Sequence, residues 1–361
     1  MIHLAIKGSA MLKLLLPIFV VLSLIGCAAP NTVSVNYDSA EVTAEAALQR
    51  ELALKKYLGY KQRLHHVSFP ILKAASNFCP SNQINSMGAQ GSSSADFKEG
   101  WKVAANKVLG SDQFTITWVA PSGAAASAGL LVNDRVVAVN AVQFGATQQQ
   151  HKKFYTETGR IQTSKTALAT LSVKRGDETL FLNIQQEKIC GYPVVLRESD
   201  AVNAFADGKR IMITKGMMRF AQDDQDLALV IAHELGHNVM GHLDKRQTNY
   251  WLGTIFDIAA AANGVNTQGS FGSAGAQAFS QDFESEADYV ALYYMNAAGL
   301  ALEGTANFWR EMAAEHPSSI GSNHSASHPA TSERFLAISK TIEEINHKIA
   351  TDQPVSPNLS Q

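Results

Sequence analysis

The chain has 361 residues, of which 46% are hydrophobic, and it carries a formal net charge of −2 at pH 7. This length is sufficient for two or three domains, each with its own hydrophobic core. Because basic and acidic residues nearly balance, the sequence gives no electrostatic basis for binding nucleic acid, and we expect no nucleic-acid partner.

The N-terminal segment is typical of a targeting signal. Lys7 and Lys13 precede an apolar run from Leu14 to Ile25. The run is too short to be assigned as a membrane-spanning helix, and we predict a signal peptide over residues 1–26.

The signal ends in the residues LIGC at 24–27, which resemble the lipobox of bacterial lipoproteins. This resemblance implies that Cys27 is the lipid anchor and the first residue of the mature chain. No aspartate follows Cys27, which favours the outer membrane over the inner membrane. A simple secretory signal with a coincidental cysteine is the alternative.

Two further cysteines, Cys79 and Cys190, would then lie in an oxidising compartment. A disulfide between them is the economical hypothesis. Two unrelated buried thiols remain the alternative, because sequence spacing does not show proximity.

The first part of the mature chain, residues 27–95, is predicted as a helical segment followed by a linker. Leucines at helical spacing indicate a helix from residue 40 to about residue 79, and Pro70 predicts two helices or a kink. Residues 81–94 are rich in Ser, Asn, Gln and Gly and are predicted as a loop at a domain boundary.

Residues 96–188 are predicted as a β-rich domain. Alternating residues indicate strands at 114–119 and 135–140, and a hairpin joins 167–173 to 179–184. The motifs at 119–130 and 134–140 resemble a PDZ domain of the bacterial periplasmic protease type. The resemblance covers about residues 100–188, with residues 146–164 as an enlarged connection. The resemblance implies capture of an extended peptide, and 108–110 is a candidate carboxylate-binding loop. A purely structural or dimer-forming domain is the alternative.

The domain after residue 189 begins with short strands at 194–196 and 203–206. The Asp207-Gly208 turn predicts a hairpin with a returning strand at 210–214. We expect that strand either to offer a free edge to a substrate backbone or to be an ordinary sheet strand.

The residues HELGH at 233–237 predict a catalytic metal site. Two histidines four positions apart on a helix lie about 40° apart around its axis, so both rings can reach one metal ion. Glu234 is rotated by about 100° and can take a proton from water during hydrolysis. Asp223 and Asp224 indicate the helix start, and Lys245 and Arg246 lie near the expected end.

A catalytic zinc ion takes three protein ligands, and the third is predicted downstream. Glu284 and Asp288 lie at i and i+4 of a helix that opens at residue 280, while Glu286 points away from them. We assign Glu284 as the ligand and Asp288 as the acceptor for the free N–H of a ligand histidine. Glu286 is predicted to be a surface acid.

These motifs together resemble the gluzincin metallopeptidases of the HtpX and CAAX prenyl protease kind, over residues 190–345. The resemblance rests on HELGH at 233–237, His242, Glu284 and Asp288 in ExEAD, and His328-Pro329 with Arg334. It implies one zinc ion held by His233, His237 and Glu284, with Glu234 as the general base. It also makes the PDZ-like domain an insertion.

Three other residues receive narrower predictions. By resemblance, His328 approaches the zinc ion and keeps the enzyme latent; stabilising an oxyanion or capping the last helix are the alternatives. Arg334 is assigned a supporting role near the site. His242 is predicted to be structural.

The predicted fold class is α+β: a mostly helical, zincin-like peptidase domain over 189–349 with a small β-sheet, a PDZ-like domain inserted before the active-site helix, and a disordered tail over 350–361. Residues 252–279 are predicted as short helices or a mobile flap.

The predicted function is a lipid-anchored periplasmic zinc endopeptidase that cleaves unfolded or misassembled envelope and outer-membrane proteins. A chaperone-like module with a latent metal site and a structural zinc lipoprotein are the alternatives.

Overall fold

The computed structural model describes residues 32, 35–110, 113–262, 265–277, 280–315 and 332–359. The predicted signal peptide, Cys27 and His328 lie outside these residues. The chain divides into two units, residues 1–48 and 49–361, and the second unit contains every site described below. No helix within the described ranges is long and apolar enough to cross a membrane.

The described chain is α+β, as predicted. Its α-helices, in chain order, are α1 (Ser39–Ala74), α2 (Lys102–Leu109), α3 (Ala124–Ser127), α4 (Gln148–Gln162), α5 (Lys215–Phe220), α6 (Asp224–Val239), α7 (His242–Ala262), α8 (Ser270–Gln277), α9 (Ser280–Ala297), α10 (Thr305–Glu315) and α11 (Ser332–Ala350). Short 3-10 helices cover Ala75–Phe78, Ser94–Asp96 and Glu99–Trp101.

Eleven strands of the described residues form three sheets. They are β1 (Gln83–Ser86), β2 (Ala89–Ser92), β3 (Phe114–Val119), β4 (Arg135–Val139), β5 (Val142–Gln143), β6 (Leu168–Arg175), β7 (Glu178–Gln185), β8 (Glu187–Cys190), β9 (Val194–Arg197), β10 (Ala204–Ala206) and β11 (Ile211–Thr214). A six-stranded antiparallel sheet has the order β2-β3-β4-β6-β7, with β5 paired to β4. The order of the three-stranded sheet is β10-β11-β9, and β1 pairs with β8.

The described chain has two large hydrophobic cores, one in the region of the six-stranded sheet and one in the region of the three-stranded sheet. The six-stranded sheet and α4 enclose one core, which includes Phe154, Ile161 and Leu171. The other core, which we call the main core, joins the second half of α1 to the three-stranded sheet, α6, α9, α10 and α11. Helix α1 therefore belongs to the core of the metal-site region, although the six-stranded sheet separates them in sequence.

The chain enters and leaves the β-rich region through the antiparallel β1–β8 ribbon, in which Ser86 pairs with Glu187 and Gln83 with Cys190. A disulfide joins Cys79 to Cys190 at the base of this ribbon, with 5.9 Å between their Cα atoms. Residues 87–186 are thus inserted between two adjacent strands.

Residues 81–94 differ from their predicted loop structure because they contain β1 and β2. Their Ser, Asn and Gly content does not favour strands, and the long-range pairing with β8 and β3 imposes the extended backbone. The inserted sheet therefore begins at Ala89 rather than at residue 96.

Two helix predictions also differ from the structure. Helix α1 is continuous through Pro70, because burial of Phe69, Ile71 and Leu72 in the main core offsets the hydrogen bond that proline removes. The enlarged connection at 146–164 is helix α4, which starts at a capping box formed by Thr147 and Gln150.

The predicted strand at 210–214 does not offer a free edge. Strand β11 is the centre of its sheet, paired antiparallel with β10 and parallel with β9. The predicted hairpin is β10–β11, and within the described chain β10 and β9 are the two edge strands of this sheet.

The predicted disordered tail is also wrong for residues 351–359, which pack against α9 and α11. The Lys348 ammonium group donates to the carbonyl oxygen of Ser356 at 2.8 Å, and the backbone N–H of Asn358 donates to the Tyr289 hydroxyl at 2.9 Å. Val355 contacts the main core. The Pro and Ser content of the segment does not reveal these contacts, because Tyr289 lies on the distant helix α9 and Lys348 reaches back from the preceding helix α11.

Candidate metal centre

Helix α6 carries the two site histidines through the main core. It starts at Asp223, whose carboxylate accepts from the backbone N–H of Asp224 at 3.1 Å. Residues 227–232 are buried and fix the helix. The helix ends at Val239, earlier than predicted, because Gly241 takes a positive φ of 66° and α7 begins at His242.

His233, His237 and Glu284 bring three ligand atoms together. The His233 Nε2 atom lies 3.1 Å from His237 Nε2 and 3.3 Å from Glu284 Oε2, and His237 Nε2 lies 3.4 Å from Glu284 Oε1. All three ligand atoms lie within 4.8 Å of one another. Two imidazoles and one carboxylate are a donor set that zinc prefers in catalytic sites.

Gly236 allows α6 and α9 to approach closely enough for this convergence. A Cβ atom at this position would lie 2.9 Å from Val290 Cγ2 and 3.0 Å from the carbonyl oxygen of Ala287. Both neighbours belong to α9, the helix that supplies Glu284. The glycine within the motif therefore sets the distance between the helices that carry the ligands.

Asp288 and Arg334 surround the first histidine. The Asp288 Oδ1 atom lies 2.8 Å from His233 Nδ1, and the Arg334 guanidinium donates to Asp288 at 2.8 and 2.9 Å. Burial alone would raise the pKa of Asp288, but the charge of Arg334 and the hydrogen bonds from His233 and Arg334 hold it below its ordinary value. Asp288 therefore accepts the His233 N–H as an anion, which leaves His233 Nε2 for a metal ion.

Arg334 also contacts a predicted ligand and an aromatic ring. Its Nη1 atom lies 3.4 Å from Glu284 Oε2, and its guanidinium lies 5.2 Å from the centre of the Trp309 ring. Trp309 packs against His233, with 5.1 Å between ring centres. Arg334 thus connects α11 to Glu284 and Asp288 of α9, which gives its predicted supporting role a structural basis.

The charge balance of the buried cluster fits a divalent cation. Glu234, Glu284 and Asp288 are carboxylates that are at least 95% buried, and Arg334 is the accompanying cation. With neutral histidines the formal charge of these groups is −2. A buried excess of negative charge is unfavourable unless a cation neutralises it, and Zn²⁺ carries the complementary charge.

The second histidine has partners that the sequence analysis did not predict. His237 Nδ1 lies 2.9 Å from His242 Nδ1, and His242 Nε2 lies 2.7 Å from Glu286 Oε2. Burial lowers the pKa of His242 to about 4. Glu286, predicted to be a surface acid, is 33% exposed and also contacts His242, and His242 is more than a packing residue.

Glu234 lies on α6 between the two histidines in sequence and is 2% exposed. Its charge acts on the pKa values of both His237 and Arg334, although burial is the largest influence on each. A carboxylate in this position can exchange protons with a water molecule at the donor set.

Among the residues singled out from the sequence, the structure brings together His233, Glu234, His237, Glu284, Asp288 and Arg334. His328 lies outside the described residues. The sequence does not predict the site contacts made by Trp309, Glu286 and His242. No motif spacing marks them, because α7, α9 and α10 meet at the site only in the folded chain.

The fold and this site define a metallopeptidase region. Residues 179–342 match the family model described as Peptidase family M48, whose metallopeptidases are zinc-dependent. The match includes the three residues of the donor set and both residues that hold His233.

Three similar proteins are metalloendopeptidases or proteases by name. "Mitochondrial metalloendopeptidase OMA1" of Schizosaccharomyces pombe is 29% identical over 157 residues, which cover 41% of this chain and 46% of that protein. Its Saccharomyces cerevisiae counterpart is 26% identical over 154 residues, 40% of this chain and 44% of that protein. "Beta-barrel assembly-enhancing protease" of Yersinia pestis is 28% identical over 133 residues, which cover 33% of this chain and 27% of that protein. This chain thus aligns with less than half the length of each.

Proposed function

We propose that this protein is a zinc-dependent endopeptidase of the bacterial cell envelope that hydrolyses unfolded or misassembled envelope proteins. The proposal rests on the way His233, His237 and Glu284 bring three ligand atoms together. The buried Glu234 lies on the helix that carries the two histidines. The similarity of residues 179–342 to metallopeptidases supports the same reaction class.

Different residues of the chain have different roles in peptide hydrolysis. A zinc ion bound by His233, His237 and Glu284 would supply Lewis-acid chemistry that polarises a peptide carbonyl group and acidifies water. Glu234 takes a proton from the attacking water and delivers it to the leaving amine. Asp288 and Arg334 hold His233 in the tautomer that presents Nε2.

Strand β10 is the part of the fold that we assign to the substrate backbone. It packs against α6 and has an unpaired outer edge within the described chain. An extended peptide can add to such an edge through main-chain hydrogen bonds, which are independent of side-chain identity. Binding of this kind suits a protease that accepts unfolded proteins.

The envelope location has two supports. The disulfide between Cys79 and Cys190 is typical of an oxidising compartment. "Beta-barrel assembly-enhancing protease" is named for an envelope process. We propose the periplasm, with lipid anchoring through Cys27 and the outer membrane as further predictions from the signal sequence.

The inserted β-rich region is proposed to be a PDZ-like peptide-binding domain. A cavity of about 240 Å³ lies between β2 and α4, with Gln90 and Gly91 on the strand side and Thr158 and Gln162 on the helix side. A groove between a strand edge and a helix suits an extended peptide. The candidate loop at 108–110 does not line this groove, because it ends α2 and packs near α1.

A tryptophan substitution tests the groove. We expect T158W to fill it and to raise KM for an unfolded protein at least five-fold with little change in kcat, because peptide capture precedes hydrolysis. The matched control is T156W, on the same helix but lining a different surface. The measurement is initial cleavage rate against substrate concentration, and equal KM values for the two variants would remove the peptide-binding assignment.

The proposed reaction is tested with E234Q. We expect this variant to fold and retain zinc but to cleave reduced, carboxymethylated casein at least 1,000-fold more slowly, because the proton acceptor is lost. The control is E303Q, at an exposed glutamate outside the site.

Persisting cleavage in pure E234Q protein would show that Glu234 is not the base. Full zinc occupancy in the wild-type protein, together with suppressed aggregation of an unfolded client and no cleavage, would favour the chaperone-like alternative.

A further inference from the structure

A series of three hydrogen-bonded side chains reaches the metal centre through His237, whereas Asp288 contacts His233. Glu286 Oε2 lies 2.7 Å from His242 Nε2, and His242 Nδ1 lies 2.9 Å from His237 Nδ1. His237 Nε2 is the atom that faces Glu284 and His233. His242 is 2% exposed, so water does not substitute for these contacts.

The direction of each hydrogen bond follows from Glu286, the last of these three side chains. An ionised carboxylate only accepts, so Glu286 must receive the N–H of His242 Nε2. A neutral imidazole with a proton on Nε2 has an acceptor lone pair on Nδ1. His242 therefore accepts the Nδ1–H of His237, and the remaining lone pair of His237 is on Nε2, where the ligand atoms converge.

Packing holds His242, the middle one of the three side chains, in place. The His242 ring stacks on Phe283, with 4.7 Å between ring centres and 20° between planes. Lys245 lies 3.6 Å from Glu286 Oε2 and fixes the carboxylate from the solvent side. His242 and Lys245 belong to α7, whereas Phe283 and Glu286 belong to α9, so the contacts also align these two helices.

We propose that Glu286 and His242 are positioning residues that fix the tautomer and ring orientation of His237 for metal binding. They do for the second ligand histidine what Asp288 and Arg334 do for the first. The inference rests on the metal centre of the proposed function but not on peptide hydrolysis itself.

Zinc affinity tests the proposal without any substrate. Metal-depleted protein is titrated with zinc in competition with a chromophoric chelator, and folding is checked by circular dichroism and urea unfolding. We expect H242F, which keeps a ring on Phe283 but offers no acceptor, to bind zinc about 10 to 100-fold more weakly than wild type. We expect H242N, whose side-chain oxygen can accept from His237, to stay within about three-fold of wild type.

Two further variants distinguish the effect of these hydrogen bonds on zinc affinity from the effect of ring packing. E286A removes the carboxylate at the partly exposed end and should weaken zinc binding about ten-fold. The matched control is H151F, because His151 also stacks on a phenylalanine, Phe144, at 4.6 Å, but lies on α4 outside the metal centre. It should leave zinc affinity unchanged.

A spectroscopic measurement reports the tautomer directly. Long-range ¹H–¹⁵N correlation spectra of the zinc-loaded protein should show His237 with its proton on Nδ1, and the matching Nδ1–H signal of His237 should be lost or shifted in H242F.

Wild-type zinc affinity in folded H242F and E286A, or a proton on another nitrogen of His237, would overturn the proposal. Tight zinc binding without cleavage by the wild-type protein would instead contradict only the proposed hydrolysis.

Discussion

His233 and His237 each direct one ring nitrogen to the centre and the other to a neighbouring side chain. The sequence predicts the pair itself, because helical geometry alone places i and i+4 on one face. The same argument predicts Glu284 with Asp288. It fails for Glu286, because residues two positions apart on a helix differ by about 200° around its axis. Helix α9 contacts α6 through Glu284 and Asp288, and it contacts α7 through Glu286.

His65 is a residue whose role only the fold reveals. It lies on α1 with its ring centre 5.9 Å from that of Trp118 on β3. Burial, and then the charge of Lys61, lower the pKa of His65 from 6.5 to about 4. The sequence gives no indication of this, because Trp118 arrives from the inserted sheet.

The lowered pKa of His65 predicts acid sensitivity. The unfolded chain binds a proton at this histidine below pH 6.5, whereas the folded chain does so only near pH 4. The stabilisation is therefore complete above pH 6.5 and is lost as the pH falls from 6.5 to 4, by up to about 3 kcal/mol. We expect urea unfolding to show a steeper loss of stability over this range in wild type than in H65Q. Parallel pH dependence of the two proteins would contradict the buried neutral state.

Helices α6 and α9 are the pair of elements on which the site depends. Their existence and approximate starts follow from acidic first turns and apolar periodicity. Their separation does not, because it depends on which side chains meet at the crossing, and here Gly236 meets Val290 and Ala287.

Adding one methyl group at this crossing should displace the ligands. We expect G236A to lower the free energy of unfolding by about 1 to 3 kcal/mol, since the added Cβ would lie 2.9 Å from Val290 Cγ2 and 3.0 Å from the carbonyl oxygen of Ala287. Zinc affinity should also fall, because Glu284 moves with α9.

The matched control is G159A, another helical glycine, around which a Cβ would meet nothing within 4 Å. It should stabilise the protein by about 0.5 to 1 kcal/mol. Urea unfolding and chelator competition measure both effects, and an equally stable G236A protein with unchanged zinc affinity would contradict the close-packing argument.

At the scale of the whole molecule, the β1–β8 ribbon divides two hydrophobic cores. The sequence predicts both regions from their different periodicities, and the resemblance of residues 190–345 to gluzincins implies the insertion. The sequence does not predict the ribbon, because Gln83–Ser86 and Glu187–Cys190 are short, largely polar segments that become strands only by pairing with each other.

The ribbon predicts that the β-rich insertion is dispensable for the metal centre. Replacing residues 87–186 by Asn-Gly joins Ser86 to Glu187 in a two-residue hairpin, a connection that such strands accept. We expect the shortened protein to fold and bind one zinc ion, with lower stability because Trp118 and Ala120 leave the main core. Circular dichroism and zinc analysis measure this outcome.

A deletion of residues 83–190 provides the contrast, because it also removes the ribbon and Cys190; we expect it to be unstable. An unfolded or zinc-free product from the shorter deletion alone would show that the inserted sheet is required for the metal-site core.

The division of the main core also has a consequence for folding in the proposed periplasmic location. An exported chain reaches that compartment N-terminus first, so the apolar face of α1 arrives before residues 227–235, which belong to the same core. Residues 87–186 arrive in between, and they can complete their own core while α1 still lacks its partners. Helix α1 is therefore the segment that a periplasmic chaperone would need to shield until the rest of the main core arrives.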